Sequence, residues 1–275
     1  RPDASAAPAL SDPFGLRRPL ARLGMGVDRY RRQPSGDAID VDAAIEAQVE
    51  VMAGSAPDEA FYVDSLRLRR DLAVLLLLDI SGSSAEPAAL ATGHTVHEQQ
   101  RAVAAALTTA LHDIGDRVAL HAFRSQGRSA VHFVPVKRFA DPLDALAMRR
   151  LYSLVPGMYS RLGAAIRHGA TVLRRSGGTP RRLLVVLSDG LAYDHGYEPG
   201  YGAADARRAL GEARRQGVGC LCLSIGASTD AGALRRVFGS AAHATIPIPA
   251  QLGRVIGPLF RSALRSAELS RRVAA

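Results

Sequence analysis

A short, wholly apolar run at residues 72–78 limits most strongly what this chain can fold into. It reads Leu-Ala-Val-Leu-Leu-Leu-Leu and lies between Asp71 and Asp79. A membrane span needs about 20 apolar residues, so this run is far too short to cross a bilayer. Because no polar residue alternates within it, the run predicts a strand buried on both faces, as in a parallel sheet covered by helices.

Further apolar runs and amphipathic segments continue this pattern along the chain. The other predicted buried strands are residues 118–123, 183–187 and 218–225, with a predicted edge or hairpin strand at 130–136. Between them, apolar residues recur at three- and four-residue steps, which is typical of helices that cover a sheet. These helices are predicted around residues 103–114, 162–173 and 206–213, with a last helix at about 251–271. The sequence therefore predicts an α/β fold with a doubly wound, mostly parallel sheet flanked by helices and an irregular N-terminal extension.

The segment upstream of this pattern, residues 1–70, is predicted to be a linker and N-terminal extension, and residues 71–271 the α/β domain. Residues 1–39 are rich in Pro, Gly, Ala and Arg without periodicity, so no fold is predicted for them. Apolar residues at four-residue steps predict one short helix over 40–52. The chain shows no membrane span and opens on Arg1 without a signal-like segment, so we expect a piece of a longer, cytoplasmic protein.

The charge and cysteine content narrow the classes of partner. The formal net charge is +9, but the arginine doublets are spread along the chain without a basic, aromatic-interleaved block. We therefore expect no nucleic-acid partner, and the positive charge should favour an acidic protein partner. Cys220 and Cys222 are two residues apart, which suits neither a disulfide nor a zinc site, and we expect both to be buried.

Oxygen-bearing side chains follow the predicted strands. Asp79, Ser81 and Ser83 come after the first strand, Asp189 follows the 183–187 strand, and Ser160 precedes a predicted helix. The carboxyl ends of parallel strands meet at one edge of a sheet, where ligands bind, so these oxygens can converge on a hard cation. Each residue alone is compatible with an ordinary turn or cap, but the combination favours a metal site.

The donor set favours a small octahedral ion that keeps some of its water, Mg²⁺ or Mn²⁺, because two carboxylates are too few for Ca²⁺. Such an ion would remain a strong Lewis acid with a free position for a carboxylate from another protein. We expect recognition of an acidic client residue and no enzyme activity, because no His or Glu is placed as a general base. The alternatives are a metal-assisted hydrolase or phosphotransferase using the same carboxylates, for which nucleotide-loop and nucleophile-elbow motifs are missing, and a nucleic-acid binder.

The Asp-x-Ser-x-Ser loop with its second Asp resembles the metal-ion-dependent adhesion site of von Willebrand factor A domains. That resemblance spans about residues 71–271 and implies Asp79, Ser81, Ser83 and Asp189 as metal ligands, with Ser160 in place of the usual Thr. Strings such as Arg-Arg-Asp-Leu-Ala-Val at 69–74 and Tyr-Glu-Pro-Gly-Tyr-Gly at 197–202 are similar to the C-terminal region of NorD- and CbbO-type proteins.

That narrower resemblance implies a partnership with a MoxR-type AAA+ ATPase, in activating or remodelling a metalloenzyme or Rubisco-like client. The tyrosine-rich loop after Asp189, residues 193–201, is expected to contact the partner, because loops over a binding site carry recognition.

Overall fold

The structure, a computed structural model, describes residues 12–23, 27–36, 38–57, 59–67, 71–88, 93–190, 192–227 and 230–274. These residues form two compact units. One unit holds the described residues up to Leu23 together with those from Asp71 onward, and the other lies within residues 24–70.

The described strands, in chain order, are β1 (Val27–Gln33), β2 (Ala38–Ile39), β3 (Tyr62–Arg67), β4 (Leu72–Asp79), β5 (Arg117–Ser125), β6 (Val131–Lys137), β7 (Arg181–Leu187), β8 (Val218–Ile225) and β9 (Ala242–Ile246). The described helices are α1 (Arg17–Ala21), α2 (Val41–Met52), α3 (Val96–Asp113), α4 (Ala145–Tyr152), α5 (Leu162–Ser176), α6 (Pro199–Arg215), α7 (Ala231–Phe238) and α8 (Leu252–Ala274). Gly82–Ala85 and Pro249–Gln251 form short 3₁₀ turns.

The larger unit is built on a six-stranded sheet in the order β6-β5-β4-β7-β8-β9. All neighbours pair in parallel except β6, which runs antiparallel to β5 at one edge. Every residue of β4 is buried, which agrees with the unbroken apolar run in its sequence. The sheet is therefore doubly wound and mostly parallel, as predicted.

Helices cover both faces of this sheet. The core on one face contains Leu107 of α3 and Phe260 of α8, and the core on the other contains Ile166 of α5, Leu210 of α6 and Phe238 of α7. Helix α3 begins with a reciprocal cap in which Thr95 and Glu98 bond each other's backbone. The predicted strands and helices of this unit are all present, whereas α4, α7 and β9 were not predicted.

The expectation of an irregular linker over residues 1–39 is wrong for the part that the structure describes. Leu16 and Leu20 of the α1 region are fully buried in the core that contains α8, so residues 12–23 belong to the sheet unit. In the smaller unit β3 pairs antiparallel with both β1 and β2, and α2 confirms the short helix predicted there. β1 could not be predicted from the sequence, because it is rich in arginine and its apolar and polar residues do not alternate. Residues 1–11, 24–26 and 37 lie outside the described residues.

Two other expectations concern buried thiols and membranes. Cys220 and Cys222 are free and buried, as predicted. Burial in apolar surroundings raises the pKa of the Cys220 thiol to about 12, which leaves it unreactive. Among the described helices, none combines the length and apolarity that crossing a bilayer needs.

Candidate metal centre

The candidate site lies where the neighbouring strands β4 and β7 end. Leu78 of β4 is aligned with Leu187 of β7 in a parallel register, so the residues that follow each strand emerge side by side. Asp79 is the last residue of β4, and Ser188 and Asp189 directly follow β7. Strands separated by about a hundred residues of sequence are thus brought together at one edge, as the sequence predicted.

Asp79 is almost wholly buried and its carboxylate accepts three hydrogen bonds. Its Oδ1 accepts from the backbone N–H of Ser81 at 2.9 Å. Its Oδ2 accepts from the hydroxyls of Ser160 at 2.9 Å and Ser188 at 2.8 Å. These bonds fix the carboxylate at the centre of three loops, so the Asp-x-Ser-x-Ser segment is organised around its first residue.

The first of these loops is the Asp-x-Ser-x-Ser segment, residues 79–83. Its two serines lie together beside the Asp79 carboxylate. The Oγ atoms of Ser81 and Ser83 are 3.3 Å apart. Neighbouring ligands of an octahedral ion with bonds of about 2.1 Å are about 3 Å apart, so this spacing is close to what such an ion requires. Ser84 donates from its hydroxyl to the Ser81 carbonyl at 2.7 Å, which holds the turn between them.

The second loop, around residues 156–161, is hydrogen bonded to the first. Gly82 N–H donates to the Met158 carbonyl, and Gly157 N–H donates to the Ile80 carbonyl, both at 2.9 Å. A Cβ atom on Gly82 would lie 3.2 Å from the Met158 oxygen, so the absent side chain permits this close approach. Met158 has φ of 66°, a left-handed conformation that costs a non-glycine residue about 1 kcal/mol. The loop is therefore held in place against some backbone strain.

The third loop begins with Ser188, Asp189 and Gly190. Gly190 has φ of +83°, and a Cβ atom there would lie 2.6 Å from Leu234 Cδ2, so any other residue would be strained at this position. Its N–H donates to Ser188 Oγ at 3.1 Å. Asp189 is buried and close enough to Asp79 for charge repulsion to act between them.

Burial, with a further contribution from the Asp189 charge, raises the pKa of Asp79 to about 7. The hydrogen bonds from Ser81 and Ser188 oppose that shift but do not cancel it. Two buried carboxylates without a cation are costly, because each resists ionisation of the other. A divalent cation between two such carboxylates would offset that cost.

A buried ion pair between Arg161 and Asp194 connects the second loop to the third. Asp194 is fully buried and accepts from Arg161 Nε at 2.8 Å and from the Gly127 N–H at 2.9 Å. Ser160 N–H in turn donates to the Tyr193 carbonyl at 2.9 Å. These contacts link the loop that carries Ser160 to the tyrosine-rich loop. The sequence did not reveal the link, because its members are far apart along the chain.

The structure brings the five predicted ligands to one edge of the sheet: Asp79, Ser81, Ser83, Ser160 and Asp189. Their metal-binding role stays a prediction. Within the described ranges, no three or more His, Cys, Asp and Glu residues form a group that could hold a metal ion by themselves. A site with two carboxylates and three hydroxyls contains no such cluster, and its all-oxygen donors fit a hard cation such as Mg²⁺ or Mn²⁺.

Ser188 is the residue that sequence reasoning did not assign to the site. Its hydroxyl bonds Asp79 directly, although the sequence analysis gives Ser188 no role. The available signal was its position at the carboxyl end of a buried strand.

Comparison with known proteins agrees with this architecture. Residues 74–191 match the family model of the von Willebrand factor type A domain. The pilus adhesin SpaC of Lactobacillus rhamnosus GG is similar in fold, with a TM-score of 0.50 and 14% identity, over 74% of this chain and 31% of that one. Residues 74–191 therefore resemble a von Willebrand factor type A domain.

The chain is also similar to proteins named NorD. It is 35% identical over 238 residues to protein NorD of Stutzerimonas stutzeri, which covers 86% of this chain and 38% of that protein. It is 36% identical over 255 residues to an uncharacterized protein of Pseudomonas aeruginosa, covering 90% of this chain and 40% of the relative. The chain thus spans about two fifths of the length of these relatives.

Proposed function

We propose that this chain is a metal-dependent protein-binding adaptor that binds an acidic residue of a client or partner through a divalent ion. The observation that carries the proposal is the convergence of two buried carboxylates and three hydroxyls at one sheet edge. Asp79, Ser81, Ser83, Ser160 and Asp189 are the proposed ligands. The ion would supply Lewis acidity, and the protein would supply a rigid set of oxygens around it.

Mg²⁺ or Mn²⁺ is the proposed ion because the site offers few charged ligands. An octahedral ion of this size is commonly held by one or two carboxylates and keeps several waters. A carboxylate from another protein could replace one of those waters. The proposed activity is therefore binding without turnover.

The surroundings of the site support recognition of a protein. Tyr159 packs edge-on against Tyr193 and His195, with ring centroids 5.7 Å and 4.7 Å apart. Tyr193 and Met158 are each about two-fifths exposed beside the ligand loops. Partly exposed aromatic residues of this kind are enriched in protein interfaces. We propose that they form the rim that a partner contacts.

The resemblance to NorD-type proteins supports the second part of the proposal. We propose that the domain works with a MoxR-type AAA+ ATPase in the cytoplasm, where the metal site holds a client while the ATPase remodels it. A metalloenzyme or a Rubisco-like enzyme is the proposed class of client. Nucleic acid is not part of the proposal, because the arginines are not gathered into one basic block.

Isothermal titration of Mg²⁺ into the whole chain tests the metal site. We expect saturable binding by the wild type and none by Asp79→Ala. Glu86→Gln, which changes an exposed carboxyl just after the first loop, should bind like the wild type. Equal binding, or none, in wild type and Asp79→Ala would refute the metal site.

The partner is tested with a purified MoxR-type AAA+ ATPase. We expect the immobilised chain to retain the ATPase in Mg²⁺ and to lose it in EDTA and with Asp189→Ala. Retention that is indifferent to both changes would reject the metal-mediated contact. Turnover of a phosphoester panel that is abolished by Asp189→Ala would favour the enzymatic alternative.

A further inference from the structure

Ser188 begins the third loop, and its hydroxyl bonds both Asp79 and the backbone of its own loop. It is fully buried. Its Oγ donates to Asp79 Oδ2 at 2.8 Å and accepts from the N–H of Gly190 at 3.1 Å. One hydroxyl therefore uses its donor and one of its lone pairs on two different loops.

These two bonds act on the two carboxylates in different ways. The bond to Asp79 fixes the orientation of that carboxylate directly. The bond from Gly190 fixes the backbone turn immediately after Asp189, and that turn already needs a glycine at positive φ. Together they set where Asp189 lies relative to Asp79.

We propose that Ser188 is a positioning residue that holds Asp79 and Asp189 at the separation needed to bind one divalent ion. This inference rests on the proposed metal-binding function. Ser188 acts through its neighbours: both bonds of its hydroxyl are made to the loops that carry the carboxylates. Removing such a supporting hydrogen bond commonly weakens metal binding by about 10- to 100-fold.

The chain offers a matched control on the next strand. Leu187 of β7 is aligned with Leu223 of β8, so Ser224 lies beside Ser188. Ser224 is also fully buried, but its Oγ has no hydrogen-bond partner in the described part of the chain. Ser188→Ala and Ser224→Ala therefore delete the same atom at neighbouring, equally buried positions, and only the first breaks a link between the loops.

The experiment measures Mg²⁺ affinity by isothermal titration and the amide exchange of Gly190 by NMR in EDTA, on the whole chain. Ser188→Ala should weaken Mg²⁺ binding at least about 10-fold. Ser188→Ala should also speed hydrogen exchange of the Gly190 amide by about fivefold, because that amide loses its bond to Ser188 Oγ and a typical hydrogen bond changes an equilibrium by about that factor. Ser224→Ala should match the wild type in both, and Ser188→Thr, which keeps the hydroxyl, should restore both.

Two results would overturn the inference: wild-type Mg²⁺ affinity in Ser188→Ala, or equal losses in the Ser188 and Ser224 variants, which would indicate packing alone. Failure of a folded Ser188→Thr variant to restore the affinity would do the same. If the wild type binds no Mg²⁺ at all, the proposed function fails. The exchange of the Gly190 amide in EDTA would then still decide whether Ser188 couples the loops.

Discussion

Replacing Asp79 by Asn should stabilise the metal-free protein while it abolishes the response to metal. In the native state burial and Asp189 raise the pKa of Asp79 from 3.8 to about 7. Between pH 3.8 and about 7 the native state therefore binds more protons at this residue than the unfolded state, so stability falls as pH rises through that window. Above pH 7 the full cost of the buried charge is present.

The size of this cost follows from the shift. About three pKa units correspond to about 4 kcal/mol at 1.36 kcal/mol per unit, which is the upper limit of what Asn can recover. Asn is nearly isosteric, its Oδ1 can still accept from Ser81 N–H, and the hydroxyls of Ser160 and Ser188 can accept from its amide. We therefore expect a gain of about 1 to 4 kcal/mol in EDTA at pH 8.

Urea unfolding at pH 8 and pH 4, in EDTA and in Mg²⁺, measures this prediction. The gain of Asp79→Asn should shrink at pH 4, where the wild-type carboxyl is protonated in the native state. In Mg²⁺ at 100 times the dissociation constant, the wild type should gain about 2.7 kcal/mol and the variant nothing. Glu86→Gln should match the wild type, both in its stability in EDTA and in its gain of stability in Mg²⁺. A variant less stable than the wild type in EDTA at pH 8 would refute the reasoning.

Three further predictions concern the residues around the site and the core. Burial, with the nearby His168 and Arg138 charges, lowers the pKa of the buried His121 to about 4. The unfolded state therefore binds more protons at this residue between pH 6.5 and 4, and the wild type should lose up to about 3 kcal/mol of stability relative to His121→Leu as pH falls through that window. Urea unfolding of both proteins measures this loss. Gly190→Ala should lower stability by about 1 to 3 kcal/mol in thermal melts, because its Cβ would overlap Leu234; an unchanged melt would contradict that geometry. Arg161→Ala should cost about 3 kcal/mol or more by leaving Asp194 buried without its ion partner, whereas Arg128→Ala, in an exposed loop, should be neutral.

Much of the larger unit could be predicted because its strands and helices have recognisable patterns among neighbouring residues. A short apolar run such as residues 72–78 is typical of a buried strand, and an apolar stripe at helical spacing is typical of a helix that covers a sheet. Since ligands bind at the carboxyl ends of parallel strands, the Asp-x-Ser-x-Ser loop could be assigned to a site before its neighbours were known.

The strands of the smaller unit could not be predicted from periodicity. β1 reads Val-Asp-Arg-Tyr-Arg-Arg-Gln, and β2 has two residues, so neither has an alternating pattern to detect. Their pairing with β3 depends on backbone hydrogen bonds between distant segments. The placement of Leu16 and Leu20 in the sheet core is likewise a tertiary contact that local composition does not encode.

By itself, the sequence determined the type of sheet, the helices that cover it and the chemical identity of the oxygen donors, because periodicity and residue type are properties of neighbouring residues. Only the tertiary structure decided that β4 lies next to β7, that Ser188 bonds Asp79, and how close Asp189 comes to Asp79. The raised pKa of Asp79 follows from that proximity and from burial. Both are set by the packing of the whole chain, which residue order alone does not specify.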